Sequence, residues 1–338
     1  MRDAKLRTLI LGAGGFLGIN LVDALLSEGV VPACGRRRRS NVLALRSRKV
    51  PLVLADLDAP ETLDEAMRDV DVVFHLAGHY PRYSTSPAAA MELGLRQTRA
   101  VLDAAARAGV RRLIYASTTA TVAPAPSGPS DESHVFPAVP RLGTYHDLKW
   151  AMEDLCLRED RLDVRVACPS GCLGPYDLRV GTTALLVALA CGKNPPHPDG
   201  ITNLVDVRDV ATGLVRMARQ DDAPRRVILS ALSAPLHGLL CELAARYRVP
   251  QPSPPLRAEV AQQLALDEER RAERDGGRPA LSREIADLVV YGVPLDTRLA
   301  EQALGMRWTP LSQTLDALDG WARRMGFIPD ITPSETPA

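Results

Sequence analysis

The sequence predicts an α/β chain: a doubly wound parallel sheet followed by a smaller, mostly helical C-terminal part. Three observations predict it. The apolar run Leu6–Leu11 ends in a cluster of glycines and passes at once into helical periodicity. Short apolar runs then alternate with helix-length segments as far as Leu229. Beyond that point the pattern is almost wholly helical. Alternation of this kind implies parallel strands joined by right-handed crossovers, with helices on both faces.

The 338 residues suit one large domain or two and can bury a sizeable core. Lys plus Arg number 41, as do Asp plus Glu, so nothing in the charge predicts nucleic acid or an anionic membrane as partner. No apolar stretch is long enough for a membrane span, and Met1–Lys5 runs straight into the first strand without a leader-like segment. The six cysteines (Cys34, Cys156, Cys168, Cys172, Cys191, Cys241) show no pairing pattern and read as reduced, buried thiols of a cytoplasmic protein. Cys168-x-x-x-Cys172 has no second pair at zinc spacing, so no metal is expected.

Each element follows in order. After the first strand, Gly12-Ala13-Gly14-Gly15-Phe16-Leu17-Gly18 opens a helix over Phe16–Ser27. Gly12 suits the tight turn, Gly15 lets backbone approach a pyrophosphate, and Gly18 lets helix and sheet pack closely. The helix N-terminus, at Phe16 and Leu17, offers N–H groups and a positive dipole end to phosphates. Strand, glycine turn and helix together predict a dinucleotide site.

The second strand, Val30–Cys34, runs into Gly35-Arg36-Arg37-Arg38-Arg39-Ser40. An acidic residue here would accept bonds from the ribose hydroxyls of NAD. Arginines instead suit a 2′-phosphate, so Arg36 and Arg37 favour NADP(H), with NAD(H) possible and a solvated basic loop as the plain alternative. A third strand, Val50–Ala55, ends at Asp56-Leu57, where a carboxylate reaches an adenine amine. Thr62-Leu63-Asp64-Glu65 has capping-box spacing and is expected to open the next helix. The fourth strand, Asp71–Leu76, ends in Ala77-Gly78, small residues that let a cofactor cross, and His75 reads as a packed strand residue. Tyr80, Arg82 and Tyr83 follow at the site mouth.

A helix over Ala88–Ala108 leads to the fifth strand, Arg111–Ala116, ending in Ser117-Thr118-Thr119. Ligands in such sheets lie beyond the carboxyl ends of strands, so these hydroxyls face the glycine turn's crevice. Thr121–Gly143 reads as a loop over the site. A helix to about Glu159 carries Thr144-Tyr145-His146-Asp147-Leu148-Lys149. Residues four apart share a helix face, so Tyr145 and Lys149 project together, and an ammonium beside a phenol lowers its pKa. Val164–Cys168 is the sixth strand, stopped by Pro169. Later elements are a helix over Thr182–Ala190, the segment Asn203–Val210 entering another helix, a strand at Val227–Leu229, and helices over Pro235–Arg246, Ala258–Arg274, Asp296–Leu304 and Leu311–Met325.

These residues in this order resemble the extended short-chain dehydrogenase/reductase superfamily. The branch holding dihydroflavonol 4-reductases, 3β-hydroxysteroid dehydrogenases and hopanoid-associated sugar-epimerase-like proteins is nearest. The likeness rests on Gly12-x-x-Gly15-x-x-Gly18, Asp56-Leu57, His75-Leu76-Ala77-Gly78, Ser117-Thr118, Tyr145-x-x-x-Lys149 and Pro169-Ser170-x-x-x-Gly174-Pro175. Asn203–Ala211 and Leu304–Pro310 extend it into the C-terminal half. It implies a Rossmann core over 1–169 with additions from about 200–233. A substrate-binding part is implied at 170–199 and 234–328, and 329–338 reads as a tail.

The resemblance also implies a Ser/Thr–Tyr–Lys triad. Counting along the fifth strand puts the hydroxyl on Thr118; counting back from Ala120-Thr121-Val122 puts it on Thr119; the strand register favours Thr118. Cofactor contacts are implied at Leu76, Ala77, Gly78, Ser117, Tyr145, Lys149, Pro169, Gly171 and Cys172, with Tyr80, Tyr83, Thr119, Leu173 and Tyr176 at the substrate. One departure stands out. The family's Asn-x-x-Gly-Thr reads Gly94-Leu95-Arg96-Gln97-Thr98 here, which puts an asparagine-dependent proton relay in doubt.

The expected activity is NAD(P)H-dependent reduction of a ketone on an apolar or aromatic small molecule, by a homodimer paired through the Ala88–Ala108 and Tyr145–Glu159 helices. The alternative is a nucleotide-sugar epimerase or dehydratase with tightly held NAD. The arginine run and the lack of an acidic residue beside the catalytic threonine argue against it.

Overall fold

Leu9, Ile10 and Leu11 are almost wholly buried, as a strand covered on both faces requires. A computed structural model describes residues 6–81, 86–178, 181 and 183–329. Its strands are β1 (Thr8–Leu11), β2 (Ala33–Arg36), β3 (Leu52–Leu54), β4 (Val72–His75), β5 (Arg112–Ala116), β6 (Asp163–Pro169), β7 (Gly171–Leu173), β8 (Ile201–Asp206), β9 (Arg226–Leu229) and β10 (Leu232–Pro235). Among the described residues seven of these form one sheet in the order β3-β2-β1-β4-β5-β6-β9, every neighbouring pair parallel. The order reverses between β1 and β4, the switch point where a crevice opens beyond the strand ends.

The helices up to the sixth strand are α1 (Phe16–Ser27), α2 (Leu43–Arg46), α3 (Pro60–Ala66), α4 (Pro87–Arg107) and α5 (Thr144–Leu157). Those beyond are α6 (Ala184–Ala190), α7 (Val207–Arg219), α8 (Leu236–Tyr247), α9 (Ala258–Asp275), α10 (Arg283–Val290), α11 (Arg298–Leu304) and α12 (Leu311–Arg324). One face of the sheet packs on α1 and α7, through Leu21, Leu25, Val210 and Leu214. The other packs on α4 and α5, through Val101, Leu102, Leu148 and Met152. A separate cluster of Leu173, Leu204, Leu240, Leu318 and Trp321 holds the helical C-terminal part together.

Several expectations change. The helix after β3 begins at Pro60, not at a Thr62 cap. Pro60 supplies the preset φ of a first helical position. The Thr62 hydroxyl instead donates to Ala59 O at 2.7 Å and accepts from the Asp56 N–H at 2.8 Å, closing the turn after β3. Pro169 ends β6 from within, and Ser170 N takes up the bond to Leu229 O at 3.0 Å. The strands β7, β8 and β10 pair as a second, three-stranded sheet that apolar runs did not foretell. The helix α10 was likewise unforeseen, and Cys191 is exposed, not buried.

Candidate active site

The strand register brings the predicted segments to one edge. Leu11 pairs with His75, His75 with Tyr115, and Ala116 with Ala167. The glycine turn, Leu76-Ala77-Gly78, Ser117-Thr118-Thr119 and Ser170-Gly171-Cys172 therefore follow adjacent strands side by side. Gly12 adopts φ +89°, and a Cβ there would lie 2.9 Å from Ala77 N, so only glycine lets these two strand ends approach. At Gly18 a Cβ would lie 2.2 Å from Gly12 O; the residue lets α1 press on its own turn.

Gly14 and Gly15 are exposed, and the N-terminus of α1 carries neither a side-chain cap nor an acidic residue in its first turn. Those open N–H groups fit a pyrophosphate. Around them, Phe16 and Leu17 are half-buried, as are Asp56, Leu76 and Ala77, while Gly78 is exposed and Leu57 buried. Arg36 closes β2 half-buried; Arg37 is exposed in a turn, its N–H donating to Ser40 Oγ at 3.0 Å. Asp56 Oδ1 accepts from Asp58 N at 3.2 Å. Pro169 is buried, and the Ser170 hydroxyl is buried with no partner among the described residues. Cys172 lies beside Ser170 O, its thiol pushed up to about 12 by burial. These features fit a nicotinamide dinucleotide laid across the strand ends.

Thr118, two residues beyond β5, caps a 3-10 turn, its hydroxyl accepting from Ala120 N at 3.3 Å. The same hydroxyl lies near enough to the Tyr145 phenol to favour its ionised form. Thr119, half-buried, begins the turn itself. Tyr145 sits in the first turn of α5, and Lys149, one turn on, donates to Ala116 O at 3.2 Å and lies 5.3 Å from the Tyr115 ring centre.

The electrostatics reverse one expectation. Burial pushes Tyr145 up to about 12, against the lowering by the Thr118 hydroxyl nearby. Burial outweighs the Lys149 ammonium, which is turned toward Ala116 and Tyr115. Lys149 itself is lowered to about 8 by burial, with Glu153 opposing. His75, fully buried against Tyr115 at 5.4 Å and without partners for either ring nitrogen among the described residues, is held neutral with a pKa of about 3. It is a packed strand residue.

Tyr80 leans on Tyr145 with ring centres 5.5 Å apart. Leu173 is buried in a cavity of about 190 Å³ shared with Asp206, Trp308 and Thr314. Tyr176, in the left-handed region at φ +80°, packs under Arg48 at 4.9 Å and against Trp321. Tyr83 and Arg82 lie outside the described residues. A larger cleft of about 450 Å³ is lined by Leu157–Asp160 and Arg225, around the amino ends of β6 and β9 and so away from the triad. Among the described residues no cluster of His, Cys, Asp or Glu could hold a metal, and no helix is long and apolar enough to cross a membrane.

Some neighbours of the triad were not anticipated. Gly94, where the family's asparagine would stand, faces Leu148: a Cβ there would lie 2.5 Å from Leu148 Cδ1, so α5 fills that space. From α10, Asp287 abuts Gly143 at the start of α5, and Tyr291 meets His146 edge-on at 5.9 Å. Glu153, two turns beyond Tyr145, is buried with Arg226 of β9. Its spacing from Tyr145 was a usable signal; Arg226, distant in sequence, offered none.

The chain matches the NAD dependent epimerase/dehydratase family over residues 8–229, from β1 to the last strand of the main sheet. It is 27% identical over 327 residues to a putative dihydroflavonol 4-reductase of Synechocystis, covering 94% of this chain and 95% of the other. Identity is 33% over 210 residues with sterol demethylase protein B of Methylococcus capsulatus, covering 60% and 63%. The crystal structure of gox2253 superposes with a TM-score of 0.81 at 25% identity, covering 96% of this chain and 99% of that one. The chain thus belongs to the NAD dependent epimerase/dehydratase family, within the extended short-chain dehydrogenases/reductases, and is an NAD(P)-dependent oxidoreductase.

Proposed function

We propose that the chain reduces a ketone on an apolar or aromatic small molecule, with NADP(H) preferred over NAD(H). One observation carries the reading: Tyr145, beside the Thr118 hydroxyl and held protonated to about pH 12, is a proton donor at every ordinary pH. A group that must give a proton to a developing alkoxide needs that state. The bound nicotinamide supplies the hydride. The chain's own residues do the rest. Gly12–Gly18 and the α1 N-terminus bind the pyrophosphate, Arg36 and Arg37 the 2′-phosphate, and Lys149 holds its ammonium one helical turn on from Tyr145. Thr118 and Tyr145 aim two donors at the oxygen where charge develops, which favours the transition state over the ground state.

The apolar surround supports the substrate class. Tyr80 is 56% exposed beside Tyr145, Tyr291 is 39% exposed beside His146, and neither ring is shielded as a core residue would be. The relatives named as a dihydroflavonol reductase and a sterol demethylase protein point the same way. Pairing of two copies through α4 and α5 belongs to this reading and is checked by light scattering.

The test is cofactor status followed by turnover. Purified protein that is free of nucleotide, binds NADPH more tightly than NADH in a fluorescence titration, and oxidises NADPH with bulky apolar ketones supports the reading. Protein that carries non-exchanging NAD and turns over nucleotide sugars makes it an epimerase or dehydratase, the other activity its family's name admits.

A further inference from the structure

Beneath the triad lies a buried polar cluster that neither the motif nor the proposed chemistry uses. Glu153 on α5 is 4% exposed and Arg226 on β9 is 8% exposed. Arg226 Nε donates to Glu153 Oε1 at 2.7 Å. The other carboxylate oxygen, Oε2, accepts from the Ser117 hydroxyl and lies 2.7 Å from Thr121 Oγ1 and 3.7 Å from Cys168 Sγ. Thr121 Oγ1 is in turn 2.8 Å from the carbonyl oxygen of Thr118. Arg226 Nη2 donates to Thr121 O at 3.1 Å, and Nη1 to Glu132 O at 2.8 Å. The cluster therefore joins both ends of the turn that presents Thr118 to the helix that presents Tyr145 and Lys149.

We propose that Glu153 is a positioning residue for the reaction: it fastens the Ser117–Thr121 turn to α5 and turns a negative charge toward Lys149, one helical turn away. The inference rests on the ketone-reductase reading for its kinetic consequence, though not for its geometry.

The charge has a defined audience. Lys149 is faced by His75 from β4, by the Tyr115 ring from β5, by Cys168 from β6, and by Glu153 and Cys156 from its own helix. His75 is held neutral, and burial drives the Cys156 and Cys168 thiols far above their ordinary range. Glu153 is thus the carboxylate in that set. Burial lowers Lys149 and Glu153 is the first influence opposing it.

The experiment reads Lys149 directly in ligand-free protein. Trace acetylation with acetic anhydride from neutral to strongly alkaline pH, followed by peptide mass spectrometry, gives the pH at which Lys149 becomes reactive. It is run on the native chain, Glu153→Gln, Glu153→Asp and the double variant Glu153→Gln/Arg226→Gln. The double variant removes both buried charges and keeps amide hydrogen bonding, so it folds even where the single one, with Arg226 left unpaired, does not.

In the folded glutamine variants the midpoint is expected to fall by about one pH unit, a tenfold loss of proton affinity. Glu153→Asp restores most of it. With a ketone and NADPH, kcat falls and the alkaline limb of the pH profile moves down with the labelling midpoint, while KM for the ketone holds. An unmoved midpoint in a folded variant overturns the proposal. So does failure of both glutamine variants to fold, which would make Glu153 a structural residue alone. A native chain that reduces no ketone sinks the reductase reading and leaves the labelling result standing.

Discussion

Tyr145→Phe deletes a phenol that burial keeps protonated to about pH 12. Loss of a positioned general acid costs ~10²–10⁴-fold, so ketone turnover is expected to fall that far while NADPH binding, read by fluorescence, stays unchanged. Thr118→Ala is expected to lower kcat strongly and Thr119→Ala weakly, because Thr118 is the hydroxyl that influences the Tyr145 proton; the reverse order would move the triad one residue along. Lys149 loses its charge as pH rises through about 8, whereas Tyr145 keeps its proton to about 12. Reductive kcat/KM is therefore expected to decline above pH 8, and a profile flat through that point contradicts the assignment. Arg37 stands exposed with Arg36 beside it. Hydrogen bonds to charged groups are worth about 1.5–3 kcal/mol, so Arg36→Ala/Arg37→Ala is expected to weaken NADPH ~10–100-fold and leave NADH unmoved, in paired titrations.

The α5 helix shows what sequence could and could not reveal at the level of elements. Its start and its Tyr145–Lys149 face follow from spacing alone, as do the glycine turn and the existence of the main sheet's parallel strands. Those features are local: a period, a turn, a strand end. What covers the helix is not local. The α10 helix brings Asp287 against Gly143, and β9 brings Arg226 to Glu153, across 73 residues of chain. No period records such a meeting. The second sheet hid for a different reason: β7 is Gly171-Cys172-Leu173 and β10 is Leu232–Pro235, too short and mixed to show alternation. The sign of the Tyr145 shift escaped because burial, not the neighbouring ammonium, governs it. Gly143 offers the test at this scale. It adopts φ +129°, and a Cβ would lie 2.5 Å from Asp287 Oδ2. Gly143→Ala is expected to cost about 1–3 kcal/mol of stability by denaturant unfolding, with a loss of turnover. Adding Asp287→Ala should recover the steric share and leave the backbone strain.

Across the whole molecule, stability should depend on acid through two buried imidazoles. His75 in β4 is 0% exposed and His146 in α5 is 3% exposed. Burial holds them neutral, with pKa values of about 3 and about 4 against an ordinary 6.5. Both nitrogens of His75 and Nδ1 of His146 have no partner among the described residues, so a proton there would gain no bond. The unfolded chain takes up protons below pH 6.5 and the folded chain does not. Their stabilising contribution is therefore full above pH 6.5 and is lost as pH falls toward 4 and 3. At pH 5 each group has lost about 2 kcal/mol, a large fraction of the ~5–15 kcal/mol that holds a typical domain. The melting temperature is expected to drop steeply between pH 7 and pH 5, before most carboxylates protonate. In His75→Leu/His146→Leu the apolar side chains fill the same sites, leave no buried nitrogen unpaired, and remove the two titrations. That variant is expected to match the native chain or exceed it at pH 7 and to lose much less on acidification. Equal acid slopes for the two proteins would place the acid sensitivity outside the two imidazoles.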